Sequence, residues 1–131
     1  MNEDSDVKSL DNVTRPVRFI LFWGIPLAGL LGANFITAMP ILRASVDIIA
    51  FAWLGIACLF NALQCNRVHC WFTGPWLVLV AIGLFAYEFL DIRPAGISFP
   101  DIINMGSVIA VILWFIPELI FGKYFAIRNK G

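Results

Sequence analysis

The 131-residue chain is 60% hydrophobic and 14% charged with no formal net charge, and its mean hydropathy is +0.85. Soluble domains are roughly 45–50% apolar and about 25% charged, so nine basic and nine acidic side chains cannot clothe a water-soluble surface of this size. No cluster of Lys and Arg interleaved with aromatics is present, which excludes a nucleic-acid partner and leaves the lipid bilayer as the expected surroundings.

Residues 1–16, with Glu3, Asp4, Asp6 and Asp11, read as a polar tail without the basic start, apolar centre and small-residue cleavage site of an export signal. Residues 17–39 form the first apolar stretch, long enough to cross a bilayer as a helix. Pro26 is expected to bend it, and Gly24, Gly29 and Gly32 to admit a neighbouring backbone. Pro40 suits the first turn of a second helix over 41–63, so the first two helices form an antiparallel hairpin.

A polar break from Gln64 to Thr73 follows, containing Cys65, His69 and Cys70. Thr73 as a cap and Pro75 in the first turn predict a short third helix over 75–90, extended by Trp71 and Phe72 at the interface. The turn sequence Asp91-Ile92-Arg93-Pro94-Ala95-Gly96 leads to a fourth helix over 102–121, with Asp101 at its start and Pro117 kinking its last turn. Trp23, Trp71, Trp76, Trp114 and Tyr124 fall near segment ends and fit an interfacial belt.

The expectation is an all-α integral membrane protein with one four-helix domain over 17–125 and a basic tail over 126–131. With the N-terminus inside, Lys8, Arg15, Arg18, Arg67, Lys123, Arg128 and Lys130 are cytoplasmic, and only Arg43 and Arg93 lie outside. This bias places both termini in the cytoplasm and the polar break at the cytoplasmic face of a multi-pass protein of the prokaryotic inner membrane.

Asp47, Cys58, Asn61 and Cys65 share one face of the second helix. A carboxylate in lipid is costly, so this stripe is expected to face the bundle interior, with Arg43 four residues before Asp47 as its counter-ion. Asp47, Asn61 and Glu88 mark a path for ions or protons. Asp91 pairs with Arg93 and Asp101 caps the fourth helix as ordinary interfacial charges, while Glu118 pairs or snorkels at the cytoplasmic edge.

Cys58, Cys65, His69 and Cys70 carry the side-chain types that hold soft or borderline metal ions. The spacing Cys65-x4-Cys70 is not that of a structural zinc site, so no tightly bound cofactor is expected and a transient thiophilic ion is. A protonated His69, or Arg67, would favour thiolate over thiol in a neighbour. Plain packing is the competing reading for Cys58, since cysteine is among the commonest buried residues.

The run from Cys65 through His69-Cys70-Trp71-x-Thr73-Gly74-Pro75 resembles a segment of small prokaryotic inner-membrane proteins. In size, helical character and use of cysteines the chain is also similar to the small mercuric-ion transporters, although it lacks their adjacent cysteine pair. The likeness implies handling or transport of a soft metal ion through cysteine thiols, with release to a cytoplasmic thiol acceptor. The alternatives are an accessory subunit of a larger membrane complex or a homo-oligomer, and a thiol-dependent membrane oxidoreductase. No motif requires enzymatic activity.

Overall fold

A computed structural model describes residues 16–35 and 38–122. Residues 1–15 of the polar tail, the whole basic tail over 126–131 and Tyr124 lie outside the described residues. Among the described residues four helices are each long and apolar enough to cross a membrane: α1 (Pro16–Ala33), α2 (Pro40–Cys65), α3 (Val68–Phe89) and α4 (Phe99–Phe121).

Pro26 affects α1 upstream of itself. It carries no N–H, and the turn Ile20–Gly24 before it is widened to π geometry, with Ile25 N–H donating to the Ile20 carbonyl. The α-helix ends at Ala33 rather than at Met39. Asn34 follows with helical backbone angles; its side-chain amide donates to the Leu30 carbonyl and its oxygen accepts from Arg43 Nη2 at 3.2 Å.

The polar break is far shorter than expected. Asn66 takes the left-handed conformation (φ 49°) and its N–H donates to the Ala62 carbonyl, ending α2; asparagine tolerates that region better than most residues. Arg67 is extended, and α3 begins at Val68 instead of Pro75. Pro75 is therefore inside α3, and His69 and Cys70 belong to its first turn instead of to a loop. α4 starts at Phe99, where Ser98 N–H donates to the Asp101 carboxylate at 2.8 Å; it continues through Pro117 to Phe121.

Backbone packing follows chain order, α1 on α2, α2 on α3 and α3 on α4. The two central helices carry most of the core, including Phe51, Leu54, Cys58, Ala62, Cys70, Leu77 and Leu84, while α1 and α4 leave most of their surface exposed. Close approach comes from glycines outside α1. A Cβ on Gly55 would lie 2.9 Å from the Val78 nitrogen, and one on Gly106 would lie 2.9 Å from Val80, whereas one on Gly32 would meet nothing within 4 Å. The expected role of the α1 glycines is thus taken by Gly55, Gly74 and Gly106, where α2 meets α3 and α3 meets α4.

Three tryptophans belong to the bundle instead of to an interfacial belt. Trp23 is buried and meets Trp114 edge to face at 4.8 Å between ring centroids. Trp76 Nε1 donates to the Gly106 carbonyl at 2.9 Å. Trp71 remains exposed.

Candidate functional site

The first turn of α3 directs neighbouring side chains to different helices, because successive residues are about 100° apart around a helix. Cys70 faces α2, where its sulfur accepts from Asn61 Nδ2 at 3.6 Å, and it belongs with Cys58 to one buried core cluster. His69 faces α4, stacked on Trp114 with centroids 4.3 Å apart and planes 14° from parallel. Its Nδ1 lies 2.6 Å from Glu118 Oε1, and its Nε2 lies 3.2 Å from Cys70 Sγ.

These contacts assign the tautomer. An ionised carboxylate can only accept, so Nδ1 carries the hydrogen and Nε2 is left to accept the Cys70 S–H. Arg67 Nε donates to the same Glu118 oxygen at 3.1 Å. A continuous polar chain thus runs from Asn61 through Cys70, His69 and Glu118 to Arg67, crossing from α2 to α4. Asn61, His69 and Cys70 are fully buried, so the chain has the strength that low-dielectric surroundings give to a satisfied network.

Cys65 is also buried, as the last residue of α2. It stands seven residues after Cys58, which is about 10 Å along the helix axis, so these two sulfurs cannot share one two-coordinate ion. Among the described residues no group of three His, Cys, Asp or Glu side chains is arranged to hold a metal ion. Of the four expected ligands, His69 and Cys70 adjoin at 3.2 Å, while Cys58 and Cys65 are buried seven residues apart on α2.

Asp47 lies at the other end of the same α2 face and is buried as well. It lines a cavity of about 390 Å³ with Asn34, Arg43, Asn104 and Ser107, and its carboxylate is 4.0 Å from Arg43 Nε. Glu88, half-buried near the end of α3, is not among the residues lining that cavity. Asp91 pairs with Arg93 at 2.8 Å on the surface.

Glu118 is the functional candidate that sequence reasoning placed only at the edge. The available signal was its position on an apolar helix, four residues after Trp114 and at the level of Arg67 in the expected topology. A carboxylate there needs a partner.

Compared with protein-family models, curated proteins and solved structures, the chain matches none.

Proposed function

We propose that this chain is a thiol-dependent oxidoreductase of the prokaryotic inner membrane, in which Cys58 and Cys70 cycle between a dithiol and a disulfide. The observation that carries this reading is His69 Nε2 at 3.2 Å from Cys70 Sγ, inside the buried cluster that also holds Cys58. Oxidation of the pair forms one S–S bond and releases two electrons and two protons. His69 Nε2 receives the Cys70 proton and Glu118 holds the ring in the accepting orientation. A lipid-soluble quinone is the acceptor that balances the step, taking both electrons and both protons to become a quinol. The excess of Lys and Arg on one side supports cytoplasmic termini and a thiol pair near the cytoplasmic face.

The redox state of the thiols in membranes tests this. Differential alkylation and mass spectrometry should recover a Cys58–Cys70 disulfide from aerated membranes, lost after reduction, while Cys65 is alkylated in both samples once the protein is denatured. Recovery of all three thiols in the reduced form, even after excess quinone, would overturn the reading.

The same sulfur pair supports a second reading, transient handling of a soft ion such as Hg(II) or Cu(I) between two thiolates. Thiols lose protons on binding such an ion, and His69 beside Cys70 is an acceptor for one of them. In this reading Asp47 and Glu88 attract the ion, and a cytoplasmic thiol removes it. Anaerobic titration should then show one tight site, abolished by Cys58→Ser or Cys70→Ser and retained in Cys65→Ser. Absence of a site in the native protein would exclude it.

A further inference from the structure

The cavity of about 390 Å³ at the Asp47 end of the bundle is walled by α1, α2 and α4, and Arg43, Asp47, Asn104 and Ser107 all line it. The Asp47 side chain is 4% exposed and that of Arg43 33%. The two attract each other without bonding: Arg43 Nε and Asp47 Oδ2 are 4.0 Å apart, against about 2.7–2.9 Å for a charge-assisted hydrogen bond. Arg43 spends Nη2 on the Asn34 oxygen at 3.2 Å, and its Nη1 is left for an anion. A carboxylate enclosed in a membrane bundle needs donors. The Asp47 oxygens accept no hydrogen bond from a described residue and are not sealed away from all space, so the surface they keep is the wall of this cavity.

We infer that this cavity binds a small zwitterion, with a primary ammonium on Asp47 and an anionic group on the Arg43 guanidinium. Two opposite charges facing one cavity decide the class. A bare cation gains from Asp47 and is opposed by Arg43, a bare anion meets the reverse, and an apolar molecule leaves the carboxylate without a donor. The same opposition counts against Asp47 as a collector of simple ions. Asn104 and Ser107 on α4 make no side-chain hydrogen bond with a described residue. With Asp47 they offer three acceptors, which matches the three N–H bonds of a primary ammonium and gives a quaternary one nothing to donate to.

The ligand's direction follows from the register of α2. Arg43 stands three residues after Pro40 and Asp47 seven, about 5 and 10 Å along the axis, so the ammonium points inward and the anion toward the helix end. Leu27, Leu30 and Ile103 complete the wall and cover the carbon side of the ligand. Ethanolamine phosphate carries this pattern, as the head of an aminophospholipid or as a free solute, and a guanidinium pairs well with its phosphate. The cavity shares no residue with the Cys70 site, so this inference stands apart from the thiol chemistry.

Titration calorimetry of the detergent-purified full chain tests it with O-phosphoethanolamine, phosphocholine and glycerol phosphate, and with dihexanoyl lipids carrying the same heads. The ethanolamine head should bind saturably, one per chain, and by roughly 10-fold or more over the choline head, which has no N–H, and the glycerol head, which has no cation. Asp47→Asn should remove that preference, and Arg43→Gln should weaken every head. Asn104→Leu, at an exposed position, should weaken the ethanolamine head by roughly 3- to 10-fold with helicity unchanged, which keeps the test decisive if Asp47→Asn folds poorly. Tighter binding of the dihexanoyl form assigns the site to a membrane lipid, and equal or tighter binding of the free head assigns it to a solute; both support the inference. No saturable binding, equal affinity for the three heads, or an ethanolamine preference that survives both Asp47→Asn and Asn104→Leu would overturn it and leave a cavity that holds water alone.

Discussion

His69 Nδ1 and Glu118 Oε1 meet at 2.6 Å, joining the first turn of α3 to the last turns of α4 through a ring that is itself fully buried. Arg67 shares the same carboxylate oxygen. Removing Glu118 therefore takes an acceptor from the Arg67 guanidinium and the His69 N–H together, and breaking such a pairing from one side is worse than never having built it. Glu118→Ala should destabilise the detergent-solubilised protein by on the order of 3 kcal/mol, seen as a lower melting temperature. Glu118→Gln retains an acceptor oxygen and should lose much less. Equal melting of both variants and the native protein would show that this contact does not hold α4 in place.

The number of helices, their apolar character and the burial of the Asp47, Cys58, Asn61 and Cys65 face were legible because composition and 3.6-residue periodicity report them directly. The start of α3 was not. Thr73 and Pro75 form a plausible helix start, but Asn66 in the left-handed region closes α2 and lets α3 begin at Val68. Tertiary contacts decided between two locally acceptable starts. The same error concealed the site, since His69 and Cys70 acquire their partners only as members of a helix. Glu118 was hidden for a different reason: its partners are 49 and 51 residues away in sequence, and no local pattern encodes such a pairing.

The glycines separate packing from mere helix composition. A Cβ at Gly55 would lie 2.9 Å from the Val78 nitrogen and 3.0 Å from the Gly74 oxygen, and backbone cannot retreat as a side-chain tip can. Gly55→Ala should therefore force α2 and α3 apart and destabilise by roughly 1–3 kcal/mol, with a matching fall in yield of folded protein. Gly32 and Gly83 have open space around them. Alanine at either should be neutral or stabilise by up to about 1 kcal/mol through helix propensity. A melting series of the three variants checks the contrast, which disappears if α2 and α3 do not pack this closely.

Arg43 and Asp47 form the polar lining at the other end of the bundle. The carboxylate is buried and its guanidinium is one-third exposed, at 4.0 Å, so the two residues should respond unequally to mutation. Arg43→Leu leaves Asp47 without its counter-ion, whereas Asp47→Asn removes the buried charge and leaves Arg43 with the Asn34 oxygen. The first should be the more damaging in thermal melts, and the double variant should recover part of the loss. A double-mutant cycle should give a coupling of about 1 kcal/mol; simple additivity would mean that the two charges are independently solvated.

Orientation can be tested with introduced thiols because the natural ones are hidden. Cys58, Cys65 and Cys70 are at most 1% exposed, so a membrane-impermeant maleimide should leave them unmodified in native membranes and reach them only after denaturation. Both Cys65 and Cys70, expected in a polar break at the cytoplasmic face, belong to helices instead. Gln64, at the end of α2, and Ala95, between α3 and α4, are exposed. With seven basic residues on one side and two on the other, Ala95→Cys should label in intact cells and Gln64→Cys only when the cytoplasmic side is opened. The reverse pattern would invert the bundle and place the Cys58–Cys70 pair near the outer face, where its exchange partners would have to be extracytoplasmic.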